Sequence, residues 1–191
     1  MLLTASEDLS PGSVDLLASL PLQRRMLVRG RTWLMVHASP ADADEHLGPD
    51  TAKGRLRELA TVADADVVLV GHSHLAFARR AGGALFLNPG SVGRPADGDP
   101  RASYALLRTG DLKAELVRLE YDVEAAAQAV LRRGLPEEVA ELFRQGLSSQ
   151  EGVGKRGGRA QRRKAMEKAA SQLNLDHAHS LQVLRLARAL F

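Results

Sequence analysis

The apolar positions of the chain fall into short runs whose spacing alternates between that of strands and that of helices. Val67 to Val70 is wholly apolar and mostly β-branched, as suits a buried strand, and Gly71 ends it where the chain must turn. A second run, residues 84–87, follows a predicted hairpin turn at Gly82-Gly83. Residues 25–28 and 32–36 flank Arg29-Gly30-Arg31 and read as a hairpin, with Gly30 supplying the positive φ of the turn. Residues 103–107 and 113–121 read as strands around Thr109-Gly110-Asp111. Between them lie helical stretches. Val14, Leu16, Leu17 and Leu20 suit a short helix capped by Ser13 and stopped by Pro21. Residues 51–60 predict a helix capped by Thr51 or Asp50. Residues 123–132 predict another, opened by Asp122 and stopped by Gly134, and Pro136 opens a last one through Val139, Leu142 and Phe143.

Composition narrows the chemistry. The 191 residues contain no cysteine, so there is no disulfide framework and no thiolate metal site; a transition metal would need His, Asp, Glu or Asn. No apolar run of about 18 residues occurs, and the first residues lack the basic-then-apolar order of a secretory signal. No membrane partner and a cytoplasmic location are therefore expected. Aromatic residues make up only 4% of the chain, too few for a base-stacking surface. The net charge of +3 is uneven: residues 151–170 hold seven Lys or Arg against two Glu, a local +5 that leaves −2 elsewhere.

The chemistry-bearing residues cluster after residue 36. His72 and His74 directly follow the strand ended by Gly71, and side chains at i and i+2 of an extended segment share one side, so both imidazoles are expected to face one point. Asn88-Pro89-Gly90-Ser91-Val92-Gly93 specifies a sharp turn that brings a loop close to that point. His37 is placed at the end of a strand, and His46 is read as solvent-exposed in the loop beyond it. The text Gly71-His72-Ser73-His74 followed by Asn88-Pro89-Gly90-Ser91-Val92-Gly93 resembles the carboxyl-terminal half of the calcineurin-like metallophosphoesterases. Residues 33–40, ending Val36-His37-Ala38-Ser39-Pro40, resemble the strand and following His of the same family. Residues 97–104 and 120–124 resemble its bacterial phosphodiesterase branch, and the likeness spans roughly residues 16–147.

The resemblance implies an α/β fold, a partial four-layer αββα sandwich with carboxyl-terminal helices. It implies phosphoester hydrolysis at two divalent ions, with His37 and His72 on one and His74 on the other. Mn, Fe, Zn or Ni would suit imidazole donors. Asn88 is expected to hold the loop through backbone hydrogen bonds, and Arg94 is a candidate for a phosphate contact. The substrate would be a small phosphoester or a phosphoprotein. Complete family members carry three further motifs upstream: Asp-x-His, Gly-Asp with a bridging carboxylate, and Gly-Asn. None of them stands before His37. The chain thus reads as a member beginning about halfway through: a truncated product, a late start or half of a split enzyme. With three imidazoles and no bridging carboxylate, one ion or none is expected and activity would be impaired. The absent strands would leave sheet edges open to self-association.

Residues 1–147 are read as the partial phosphoesterase domain, 148–170 as a Gly-rich basic linker and helix start, and 171–191 as a further helix. The basic run Lys155 to Lys168 is a candidate contact for an anionic partner such as nucleic acid. The ending from His179 to Phe191 has apolar residues at spacings of 3 and 4 and resembles the first helix of an HD-type phosphohydrolase domain like that following exopolyphosphatases. By that resemblance His179 would match its first metal-binding His. The alternative to a hydrolase is a non-catalytic remnant, or a module that binds anionic partners through this run.

Overall fold

The structure, a computed structural model, describes residues 9–148. These fall into two compact units, one containing residues 9–22 and the other residues 23–148.

The first unit contributes helix α1 (Pro11–Ser19). It is capped by Ser10, whose side chain accepts from the Ser13 N–H, rather than by Ser13 itself. Pro11 at the first helical position explains the earlier start, because its missing N–H is one the helix would leave unpaired anyway.

The second unit is built on strands β1 (Gln23–Val28), β2 (Arg31–Val36), β3 (Val67–Leu69), β4 (Phe77–Ala81) and β5 (Ala84–Asn88), in the order β1-β2-β3-β5-β4. The β1–β2 hairpin turns at Arg29 and Gly30, both with positive φ. From β2 the chain crosses through helix α2 (Lys53–Ala63) to β3, which pairs with β2 in parallel, and β5 is parallel to β3. Thr51 and Asp50 do not cap α2: the N-cap is Ala52, and the Thr51 hydroxyl instead accepts from the Gly48 N–H at 2.8 Å, closing the turn ahead of the helix.

Alternation sorts each central strand between two apolar layers. Leu34, Val68 and Phe86 pack with Leu56, Leu59, Ala60 and Ala63 of α2. Trp33, Val67 and Leu85 face the other way and meet Leu107 of the second sheet, β6 (Ala102–Arg108) and β7 (Lys113–Leu119), and Leu112 in the turn that joins its strands. All five residues of β5 are buried, as expected for a strand covered on both faces. Truncating fully buried Phe86 to Ala would cost about 3–5 kcal/mol on the usual scale. The buried Trp33 indole N–H finds no acceptor among the described residues, a local cost of about 1–3 kcal/mol.

Helices α3 (Val123–Arg132) and α4 (Glu137–Gln145) follow, the first capped as expected by Asp122 accepting from the Ala125 N–H at 2.8 Å. Arg144 of α4 joins them by its ion pair to Glu124 of α3, and it also pairs with Glu137 and Glu141 on its own helix. Layers of α2, the five-stranded sheet and the β6–β7 sheet give an α/β fold. Leu27, Leu106 and Leu119 stay more than half exposed. Among the described residues no helix is long and apolar enough to cross a membrane.

Candidate functional site

Strands β2 and β3 are parallel neighbours, with Met35 opposite Leu69, so their carboxyl ends open at the same edge of the sheet. His37 leaves the end of β2. His72 leaves β3 after Gly71, whose N–H continues the pairing by donating to the His37 carbonyl at 2.8 Å. The two rings meet, His37 Nε2 to His72 Nδ1, at 3.0 Å. They meet edge to face, with centroids 4.9 Å apart.

The expectation that His72 and His74 project together from extended backbone is corrected. Both occupy the left-handed region, at φ 61° and 59°. This backbone turns Ser73 inward, where it is buried and its hydroxyl donates to the Leu47 carbonyl at 2.6 Å. His74 is turned toward the loop after β5, its Nδ1 lying 2.8 Å from the Arg94 backbone carbonyl. It remains near enough for its charge to bear on both His37 and His72.

Asn88, fully buried at the end of β5, ties the two loops together. Its amide donates to the Gly71 carbonyl at 2.8 Å and to the Ser73 hydroxyl at 3.1 Å, and its carbonyl accepts from the Gly90 N–H at 2.9 Å. Gly90, at φ 81°, lies so close to β6 that a Cβ there would come within 2.8 Å of Ser103 Cβ. Ser103 in turn donates to the Pro89 carbonyl at 2.7 Å. Arg94 is exposed, and what it brings toward the histidines is its main-chain carbonyl.

Two further groups reach the pair. The ring of His46, exposed as expected, lies 4.4 Å from that of His72, centroid to centroid. Asp44 makes a backbone hydrogen bond with His72, and its carboxylate favours the charged form of both His37 and His72. Burial acts more strongly in the opposite sense. Burial first and then His72 and His74 push His37 below its ordinary value; burial and then His46 do the same for His72. In the neutral form each imidazole has one lone-pair nitrogen, the form in which histidine binds a metal ion. The sequence signal for this loop was its place, Asp44-Glu45-His46 lying within ten residues of His37.

The donor chemistry fits a divalent ion in part. His37 Nε2 and His72 Nδ1, in contact at 3.0 Å, are near enough to one another that both would reach a single ion. Among the described residues, no group of three or more His, Asp or Glu stands assembled to hold an ion. His179, the HD-like ending and the basic run Lys155 to Lys168 lie outside the described residues.

Comparison with known proteins agrees with the geometry. An uncharacterised protein of Methanocaldococcus jannaschii is 33% identical over an alignment 146 residues long that covers 68% of this chain and 58% of that protein. A metallophosphoesterase from Sphaerobacter thermophilus superposes with a TM-score of 0.65 at 26% identity, over 76% of this chain and 67% of its own. A hypothetical protein from Pyrococcus horikoshii shares the fold, with a TM-score of 0.67 at 23% identity, over 75% of this chain and 57% of its own. The chain therefore spans about three fifths of the length of the archaeal proteins it matches. Residues 11–112, more than half of the chain, match the calcineurin-like phosphoesterase superfamily domain, whose members generally bind divalent metals. With the histidine pair where two parallel strands end and this match running through it, the chain belongs to the calcineurin-like phosphoesterase superfamily.

Proposed function

We propose that the chain is a metal-dependent phosphoester hydrolase, with His37, His72 and His74 as imidazole donors to its ions. The observation that carries this reading is the 3.0 Å approach of His37 Nε2 to His72 Nδ1 at the open ends of β2 and β3. His37 and His72 would hold one divalent ion, of Mn, Fe, Zn or Ni, and His74 would address a second. Such an ion supplies a Lewis acid for the phosphoryl group. The substrate would be a small phosphoester or a phosphoprotein.

The chain's own residues prepare the site. Because a carbonyl only accepts, the proton of neutral His74 sits on Nδ1 facing Arg94, and the lone pair of Nε2 is left for a ligand. Asn88 keeps the His72–His74 loop and the Gly90 turn in register. The low proton affinity of His37 and His72 keeps both nitrogens available near neutral pH.

The test is hydrolysis of an aryl phosphodiester by the 191-residue chain with added Mn²⁺, beside the His72→Ala variant. Metal-dependent turnover that disappears in the variant supports the reading. Turnover no higher than that of the variant would refute it.

A further inference from the structure

We propose that His46 is a substrate-contacting residue, donating an imidazole N–H to a phosphoryl oxygen of an ester held at the His37–His72 pair. The proposal rests on the hydrolase reading above and deepens it by naming a group that would recognise the phosphate.

The argument begins with how firmly the loop is anchored on both sides of His46. On the amino-terminal side, buried Ser39 knots the chain: its hydroxyl accepts from the Ala41 N–H at 3.2 Å and the Asp42 N–H at 2.9 Å. Its own N–H donates to the Asp42 carbonyl at 3.0 Å. The Asp42 carboxylate then accepts from the Asp44 N–H at 2.8 Å. Glu45 receives both forks of Arg55, from Nε at 2.7 Å and Nη2 at 3.0 Å, and is thereby fastened to α2. On the carboxyl-terminal side, Leu47 is 1% exposed, and its carbonyl accepts from Ser73, the residue between His72 and His74.

His46 is thus an exposed side chain between two fixed neighbours, and it leans on the ring of His72 at 4.4 Å with a tilt of 60°. The arrangement holds an exposed imidazole, with an N–H to donate, against the ring of His72, one of the two proposed to hold the ion. A neutral imidazole has one such donor to give, so the contact needs no additional proton. Nor does the ring take the place of a third ligand, since among the described residues no three such groups are assembled to hold an ion.

The test uses the full chain and two probes, Mn²⁺ followed calorimetrically and inorganic phosphate titrated into the Mn²⁺-loaded protein. In His46→Ala the Mn²⁺ affinity is expected to stay within about twofold of the parent. Phosphate affinity is expected to fall by about tenfold, the loss of one hydrogen bond to a charged group. His46→Gln, which retains an N–H donor, is expected to recover most of it. Unchanged phosphate affinity in His46→Ala would overturn the proposal and leave the hydrolase reading intact. Loss of Mn²⁺ in His46→Ala to the extent seen in His72→Ala would also overturn it, by making the ring a ligand. Failure of the parent chain to bind Mn²⁺ would remove the hydrolase reading and this contact together.

Discussion

The Arg94 carbonyl lies 2.8 Å from His74 Nδ1, so the residue read from sequence as a phosphate contact meets the histidines through its main chain. The Arg94 N–H is itself held, donating to the Ser91 hydroxyl at 3.0 Å. Two variants separate the roles of backbone and guanidinium. Ser91→Ala frees the peptide that orients His74 and is expected to weaken Mn²⁺ binding by about tenfold, at the lower end of what outer partners of metal ligands contribute. Arg94→Ala leaves the carbonyl in place and is expected to bind Mn²⁺ like the parent, with weaker binding of phosphate alone. Calorimetric titration of both probes distinguishes them, and equal loss of Mn²⁺ in the two variants would contradict the assignment.

Asn88 is the structural counterpart of that contact. Removing its fully buried side chain costs the Gly90 N–H its acceptor and the Ser73 hydroxyl and Gly71 carbonyl a donor each. Asn88→Ala is expected to destabilise the chain by about 3 kcal/mol, from unsatisfied buried groups and the cavity together. Asn88→Asp retains the acceptor for Gly90 but sets a carboxylate oxygen against the Gly71 carbonyl, and is expected to cost at least as much. Urea unfolding monitored by far-ultraviolet circular dichroism measures both, and a change below about 1 kcal/mol in either would show that the two loops are held by other means.

The fold was legible where one physical rule dominated. The mostly β-branched run from Val67 to Val70, the Arg29-Gly30 and Gly82-Gly83 turns, and the Asp122 cap all lie where local chemistry and tertiary packing agree. Legibility failed where a residue had a competing partner. Thr51 is a good helix cap by type, yet its hydroxyl closes the Gly48 turn. His72 and His74 alternate as strand residues would, yet both take the left-handed backbone, because buried Ser73 is drawn toward Leu47 and Asn88. Of the site, the three motif histidines were readable as residue types. Asp44 and His46 were not, because their approach to His72 depends on the Arg55 ion pair and the burial of Leu47, neither of which has a local pattern.

Protonation of the histidine pair predicts a dependence of stability on pH. His37 and His72 are both held below the ordinary value of 6.5, chiefly by burial. A group with a lower value in the folded state binds protons more readily once the chain unfolds, so acid favours unfolding. Their contribution is complete above the unfolded value and is lost as pH falls from 6.5 through the depressed folded values. The metal-free chain is therefore expected to melt at a constant temperature above about pH 7 and progressively lower below it, before most carboxylates titrate. His37→Gln removes one of the two protons taken up and flattens the slope. A slope identical in the parent, His37→Gln and His72→Gln would exclude the pair as its source.

The left-handed backbone at His74 separates the needs of the fold from those of the site. An L-residue with a Cβ pays about 1 kcal/mol to stand at φ 59°, a conformation that Gly adopts freely. If the only requirement were the turn, Gly would serve better there. His74→Gly is accordingly expected to be more stable than His74→Ala by about 1 kcal/mol, since both lose the imidazole and its bond to Arg94 but only Gly relieves the backbone. Both variants are expected to lose Mn²⁺ affinity equally. Such a result would show the imidazole kept at a conformational cost for the sake of ligand chemistry, the relation expected where strain is stored at a functional site. Equal melting temperatures for the two variants would mean that the turn relaxes once the ring is gone, and that the left-handed geometry is imposed by the His74–Arg94 bond rather than by Ser73 and Asn88 beneath it.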